Sequence, residues 1–325
     1  MSRRALSRLA RPPVSAAADP QPLLAAIAGA LDLIRQQDMA APSTPLPPPA
    51  PLSSLLEQCR RDHQQAVLEQ RTPLRTIHHL ACTGGTLISK CLMAMPNTRL
   101  LSEIAPLTTI LVDPTKPRFA PSDLIWHMKT GLRPCDRDDI IAVFLAALAT
   151  LSEQCRRRGE RLILRDHAHS QFCVGAEIPD YAPLHHMIAA LAPVRGVVTV
   201  RHPLESYLSL LNNRWEHHQP SGLDEYCRRY LAFLAAHEDL PRLCYEDFVA
   251  DPDTVLRQIC ALLDLPFNPC AVEVFSLVQI SGDSGRSGSL IASRPRRAIP
   301  ESLRPALAES AAYHSLCAKL GYDPR

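Results

Sequence analysis

From Leu74 onward, short apolar runs alternate with longer segments whose apolar residues recur every three to four positions. The runs at 75–81, 98–103, 161–165, 195–200 and 241–245 read as strands. Helical periodicity predicts helices over 86–94, 138–157, 182–192, 203–217, 222–237, 252–263 and 301–320. The clearest is 138–157, where Ile140, Ile141, Phe144, Leu148 and Leu151 share one face. Strands alternating with helices imply an α/β fold: a central, mostly parallel sheet flanked by helices, with ligands beyond the carboxyl ends of the strands.

The chain ahead of Leu74 has a different texture. Residues 1–52 are Pro- and Ala-rich and expected to be disordered apart from one short helix, striped by Leu23, Ile27, Leu31 and Ile34. Six prolines within 41–51 make a stiff linker. A helix over 53–73 leads into the core, leaving 74–325 as the main domain.

Composition changes this picture little. A formal charge of +2 over 325 residues gives no general attraction for polyanions, so nucleic acid is not an expected partner and any anion site is local. No apolar run is long enough for a membrane span. Eleven scattered cysteines without a CxxC pair suit a reducing, cytoplasmic setting.

The chemistry starts at "HHLACTGGTLISK", 78–90. Its glycines follow the first strand and its helix opens near Thr86, so Cys82, Thr83, Gly84, Gly85, Thr86 and Leu87 form a turn at a helix start. Such a turn lets the backbone approach an anion and aims N–H groups at it. A nucleotide-triphosphate loop places Lys after its last glycine, whereas here Thr86 follows Gly85 and the nearest lysine is Lys90. A second anion element lies in "VVTVRHPLESYLSL", 197–210: Arg201 ends a strand and Ser209 follows two turns into the next helix.

Together these segments resemble the sulfotransferases that use 3'-phosphoadenosine 5'-phosphosulfate (PAPS). "ACTGGTLI" is similar to their 5'-phosphosulfate loop, and Arg201 with Ser209 to their 3'-phosphate site. "CYEDFVADP" (244–252), which carries Tyr245, is similar to their strand-to-helix segment. "SGDSGRSGSLIASRPRR" (281–297), with Arg286, Ser287 and Gly288, looks like the late loop over the nucleotide. The resemblance covers about 75–323 and implies a three-layer P-loop-like fold, PAPS as co-substrate and no metal. The acceptor is a small molecule, peptide or carbohydrate bearing a hydroxyl or amine. Where the family commonly has Lys or Arg, this chain has Cys82, so another cation is needed, with Lys129, Arg286 and Lys90 as candidates.

Glu103, ending the strand 98–103, is the first choice for the base that takes the acceptor's proton; a glutamate stands there in the branch of the family that acts on tyrosyl peptides. His167, in "LILRDHAHSQF", is the rival, and Lys129 a stabiliser of the leaving oxygen. Arg294, Arg296 and Arg297 read as a basic rim. The pairs His78-His79, His185-His186 and His217-His218 diverge as sequence neighbours on strands or helices, so none is expected to chelate a metal. A P-loop kinase with a degenerate loop and a catalytically weak nucleotide-binding protein are the alternative readings.

Overall fold

Five strands build the main sheet in the order β2-β3-β1-β5-β7, every neighbouring pair parallel. They are β1 (Leu74–His79), β2 (Thr98–Ile104), β3 (Arg161–Asp166), β5 (Val194–Val200) and β7 (Arg242–Cys244). Two short strands, β4 (Val174–Gly175) and β6 (His217–His218), pair separately. The computed structural model describes residues 57, 58, 60, 61, 68, 71–110, 112, 115, 119–281 and 290–324. By contacts the chain divides into Met1–Gln58 and Cys59–Arg325. The expected helix over 21–38, the proline-rich linker, most of 53–73 and the loop bearing Arg286, Ser287 and Gly288 lie outside the described residues.

The helices are α1 (Gly85–Met93), α2 (Leu124–Lys129), α3 (Arg137–Arg157), α4 (Ala168–Phe172), α5 (Leu184–Ile188) and α6 (Pro203–Asn212). After them come α7 (Leu223–Ala236), α8 (Tyr245–Ala250), α9 (Pro252–Leu262), α10 (Ala271–Val274), α11 (Arg304–Glu309) and α12 (Ala311–Leu320). Strand alternation splits their packing between two faces. Ile77, Ile163 and Val197 pack with Leu87 and Ile88 of α1 and Leu256 and Ile259 of α9. On the other face Val198 and Val200 meet Tyr226, Tyr230 and Phe233 of α7, while Leu162 and Leu164 meet Leu148 of α3 and Ile188 of α5. No helix among the described residues is long and apolar enough to cross a membrane.

Two predicted helices need correction. The one expected over 203–217 stops at Asn212, where Arg214 turns left-handed (φ 56°) and Trp215 N–H donates back to the Leu210 carbonyl. His217 and His218 therefore belong to β6, not to a helix. The one expected over 301–320 is interrupted at Ser310, whose hydroxyl caps α12 by accepting from the Tyr313 N–H.

A strand buried on both faces of a parallel sheet ordinarily reads as an apolar run. Central β1 does not, since Arg75, Thr76, His78 and His79 are all buried. Arg75 donates from Nε to the Leu263 carbonyl at 2.6 Å and pairs with Asp264 at 3.0 Å. The two histidines lead to opposite faces.

Candidate functional site

The turn between β1 and α1 is built around two glycines for steric reasons. Gly84 takes φ 93°, and a Cβ there would collide with the ring of Tyr245; one on Gly85 would collide with the imidazole of His79. Cys82 is also left-handed, at φ 66°. Thr83 folds inward, its hydroxyl donating to the Leu80 carbonyl at 2.8 Å. No acidic residue and no side-chain cap stands in the first turn of α1, so its N-terminal dipole faces outward uncompensated.

Arg201, at the end of β5, reaches this turn from across the sheet. Its Nη1 donates to the Cys82 carbonyl at 3.3 Å, and its guanidinium lies 4.8 Å from the Tyr245 ring centre. Its buried Nε has no partner, and Glu205 holds its other end at 3.4 Å. Ser209 bonds the Cys82 thiol, which Asn213 also approaches at 3.7 Å. Burial pushes that thiol's pKa up, so Cys82 stays neutral. Behind Tyr245, Glu246 accepts from the His202 N–H (3.0 Å) and the Tyr322 hydroxyl (2.6 Å), tying the "YED" and "LGY" segments together.

One cavity of about 700 Å³ joins these groups. Its wall includes Cys82, Gly84, Gly85, Thr86, Leu87, Arg201, Ser209 and Tyr245 together with Glu103 and His167. Thr83 is folded beneath the turn. Lys129 stands apart, off the cavity wall, with Nζ donating to the Thr108 carbonyl at 2.8 Å. Burial lowers the Lys129 pKa to about 8. Arg294, Arg296 and Arg297 do line the opening, and Arg297 straps back onto Glu205 through its N–H at 2.9 Å.

Glu103 and His167, rivals in the sequence, are partners here. Glu103 sits in a bulge where the β2–β3 register shifts, at φ 62°, a backbone conformation costly for a side-chain-bearing residue. That twist sets one carboxylate oxygen 3.2 Å from His167 Nε2 and the other 2.7 Å from Arg165 Nη1. Burial raises the Glu103 pKa and Arg165 opposes the rise, while burial lowers that of His167. His169 stacks on His167 with centroids 6.0 Å apart, and His217 meets His169 edge-on at 5.7 Å. Burial brings the His169 pKa down to about 3, so this imidazole is neutral.

Arg165 is the residue that sequence reading passed over when it sought a cation to replace the one missing at Cys82. It is buried, and Nη2 donates to the Thr86 hydroxyl at 3.0 Å at the start of α1. Nη1 bonds Ser102 at 2.8 Å, and His79 Nε2 accepts from Nη2 at 3.0 Å. A guanidinium saturated this way is fixed in place, its charge held between the turn and the Glu103–His167 pair. The available signal was its place one residue before the carboxyl end of β3, the edge at which ligands bind in a parallel sheet.

A family model described as "Sulfotransferase family" matches residues 77–269, more than half of the chain. Among solved structures, a sulfotransferase domain from the curacin biosynthetic pathway is 17% identical, covering 78% of this chain and 99% of its own, with a TM-score of 0.46. A sulfotransferase from Alicyclobacillus acidocaldarius is 16% identical over 78% of this chain and 97% of its own, with a TM-score of 0.39. The mouse sulfotransferase SULT7A1, complexed with PAP, is 11% identical over 71% of this chain and 74% of its own, at 0.34. No curated protein matches the chain. With the family's pattern spanning all five strands from Ile77 onward and most of the loops that frame this cavity, the chain belongs to the sulfotransferase family.

Proposed function

We propose that this sulfotransferase moves a sulfuryl group from PAPS to an acceptor hydroxyl or amine. The observation that carries the reading is that two anion elements, 119 residues apart in sequence, meet across one cavity through Arg201 and Cys82. Thr83–Leu87 and the α1 N-terminus receive the 5'-phosphosulfate, and Arg201 with Ser209 receives the 3'-phosphate. Tyr245 walls the nucleotide between them. A cavity of about 700 Å³ suits a ligand of nucleotide size.

In the transfer, the acceptor oxygen or nitrogen bonds to sulfur as the bond from sulfur to the 5'-phosphate oxygen breaks. The acceptor's proton passes to the Glu103–His167 pair: Glu103 orients a neutral imidazole and offsets the charge it gains. Arg165 and the α1 dipole stabilise negative charge on the sulfuryl oxygens and the departing phosphate. Arg165 thereby supplies the cation that Cys82 does not, and Lys129 is left without a direct part. Ten described cysteines, all free, fit a reducing cytoplasmic setting.

Calorimetry with adenosine 3',5'-bisphosphate, the expected product, tests the proposal. Binding at micromolar concentration without magnesium is expected, lost in Arg201→Ala. Equal or tighter binding of magnesium ATP would favour phosphoryl transfer instead.

A further inference from the structure

The face of the sheet opposite the cavity carries a second polar cluster, which sulfuryl transfer does not use. His78 of β1, His185 of α5 and His237 at the end of α7 are each at least nine-tenths buried. Their ring centres form a triangle with sides of 4.9, 4.6 and 4.9 Å. One nitrogen from each ring lies within 4.8 Å of the others. The pairwise divergence of sequence neighbours is real but beside the point, because these three come from separate elements.

On every ring one nitrogen faces an oxygen acceptor. His78 Nδ1 is 2.7 Å from Asp166 Oδ2, His185 Nε2 is 3.2 Å from Asp239 Oδ1, and His237 Nδ1 is 2.8 Å from the Phe233 carbonyl. The remaining nitrogens, His78 Nε2, His185 Nδ1 and His237 Nε2, are buried and make no hydrogen bond, although His237 Nε2 stands 3.9 Å from Asp166 Oδ2. Three orphaned acceptors together would be an unexplained cost in an apolar layer. An imidazole whose N–H is fixed by a carboxylate or carbonyl, leaving its other nitrogen as a lone pair, is the arrangement of a metal ligand.

We propose that His78 Nε2, His185 Nδ1 and His237 Nε2 bind one divalent transition-metal ion, zinc first, with water in the fourth position. Zinc suits three imidazoles and imposes no geometry of its own. Asp239 offsets its charge from behind His185, and Asp166 does so from behind His78 and from 3.9 Å beside His237 Nε2. The ion would tie the central strand to α5 and α7, segments that no covalent link joins. It would also brace Asp166, whose chain neighbours Arg165 and His167 face the cavity.

The test is metal content of the full chain, which does not depend on nucleotide binding and so fails or succeeds separately from the proposed sulfuryl transfer. After metal stripping, addition of Zn²⁺ and desalting, mass spectrometry should find about one zinc per chain, with a raised melting temperature. Co²⁺ in its place should give visible bands of a tetrahedral nitrogen and oxygen site; a thiolate-to-cobalt band would point to the cysteines and overturn the assignment. His185→Gln should lose the bound zinc. Asp239→Asn, a change at a half-exposed side chain, should weaken zinc by about 10–100-fold without unfolding the protein. Should His185→Gln fail to fold, the Asp239→Asn affinity decides. No retained zinc in the parent chain, or unaltered affinity in Asp239→Asn, would overturn the site.

Discussion

Glu103 was legible as a strand-end carboxylate, but its partners were not. The 2.7 Å contact with Arg165 and the 3.2 Å contact with His167 depend on which strands are neighbours and on a bulge that no periodicity reveals. Glu103→Gln should slow transfer by roughly 100-fold while bisphosphate affinity holds; unchanged turnover would remove Glu103 from the proton path. The pair also fixes the sign of the pH dependence. Burial raises the Glu103 pKa and lowers that of His167, bringing the two toward each other, so they titrate as a coupled pair. The base works unprotonated, so kcat/KM should be level on the alkaline side of the pair's titration and fall as pH drops through it. A rate that instead climbs through pH 8 would implicate Lys129, whose pKa is about 8. For Arg165→Lys, which keeps the charge but loses the planar fork, kcat should drop about 10-fold or more with nucleotide KM little changed. An equal loss of nucleotide affinity would make Arg165 a binding group only.

Elements were readable where sequence neighbours decide them. The strand–turn–helix at 74–93 follows from an apolar run, two glycines and a helical stripe, and Gly84 is required by φ 93° and by Tyr245. Gly84→Ala should lower both melting temperature and bisphosphate affinity, whereas full retention of both would show that the turn can relax. Helix ends set by a single cap were less legible. Ser310 divides what periodicity joins, because its hydroxyl serves the Tyr313 N–H and also donates to Asp224 at 2.6 Å. Ser310→Ala should cost about 1 kcal/mol, a fall in melting temperature of roughly 2–4 °C by thermal denaturation. The early end of α6 had no marker either: Arg214 is an unusual residue to turn left-handed, and only the pairing of β6 with β4 explains why the chain leaves the helix there.

At the scale of the whole molecule, buried charge ties distant segments together. Arg229 of α7, 1% exposed, pairs with Glu225 at 2.6 Å and donates to the carbonyls of Phe172, Gly175 and Ala176 at 3.1, 3.0 and 2.8 Å. It thus anchors the segment between the His169 wall and β4 to the helical layer. Arg229→Met would leave Glu225 and three carbonyls short of a donor, and a loss of about 3–5 kcal/mol is expected in denaturant unfolding. A loss under about 1 kcal/mol, the range of exposed pairs, would mean that water replaces the guanidinium.

The sequence by itself determined the alternation of strand and helix, the glycine turn after β1 and the placement of Arg201 and Ser209 at and after the end of β5. Each of these is a local pattern, written in spacing and turn residues within one stretch of chain. Only the tertiary structure decided that Arg165 stands against Thr86, that Glu103 and His167 stand 3.2 Å apart, and that His78, His185 and His237 converge. The physical reason is the parallel order β2-β3-β1-β5, in which strands far apart in sequence become neighbours through crossover helices. Side-chain alternation on those strands then sends His79 and Arg165 toward the cavity and His78 and Asp166 to the opposite face.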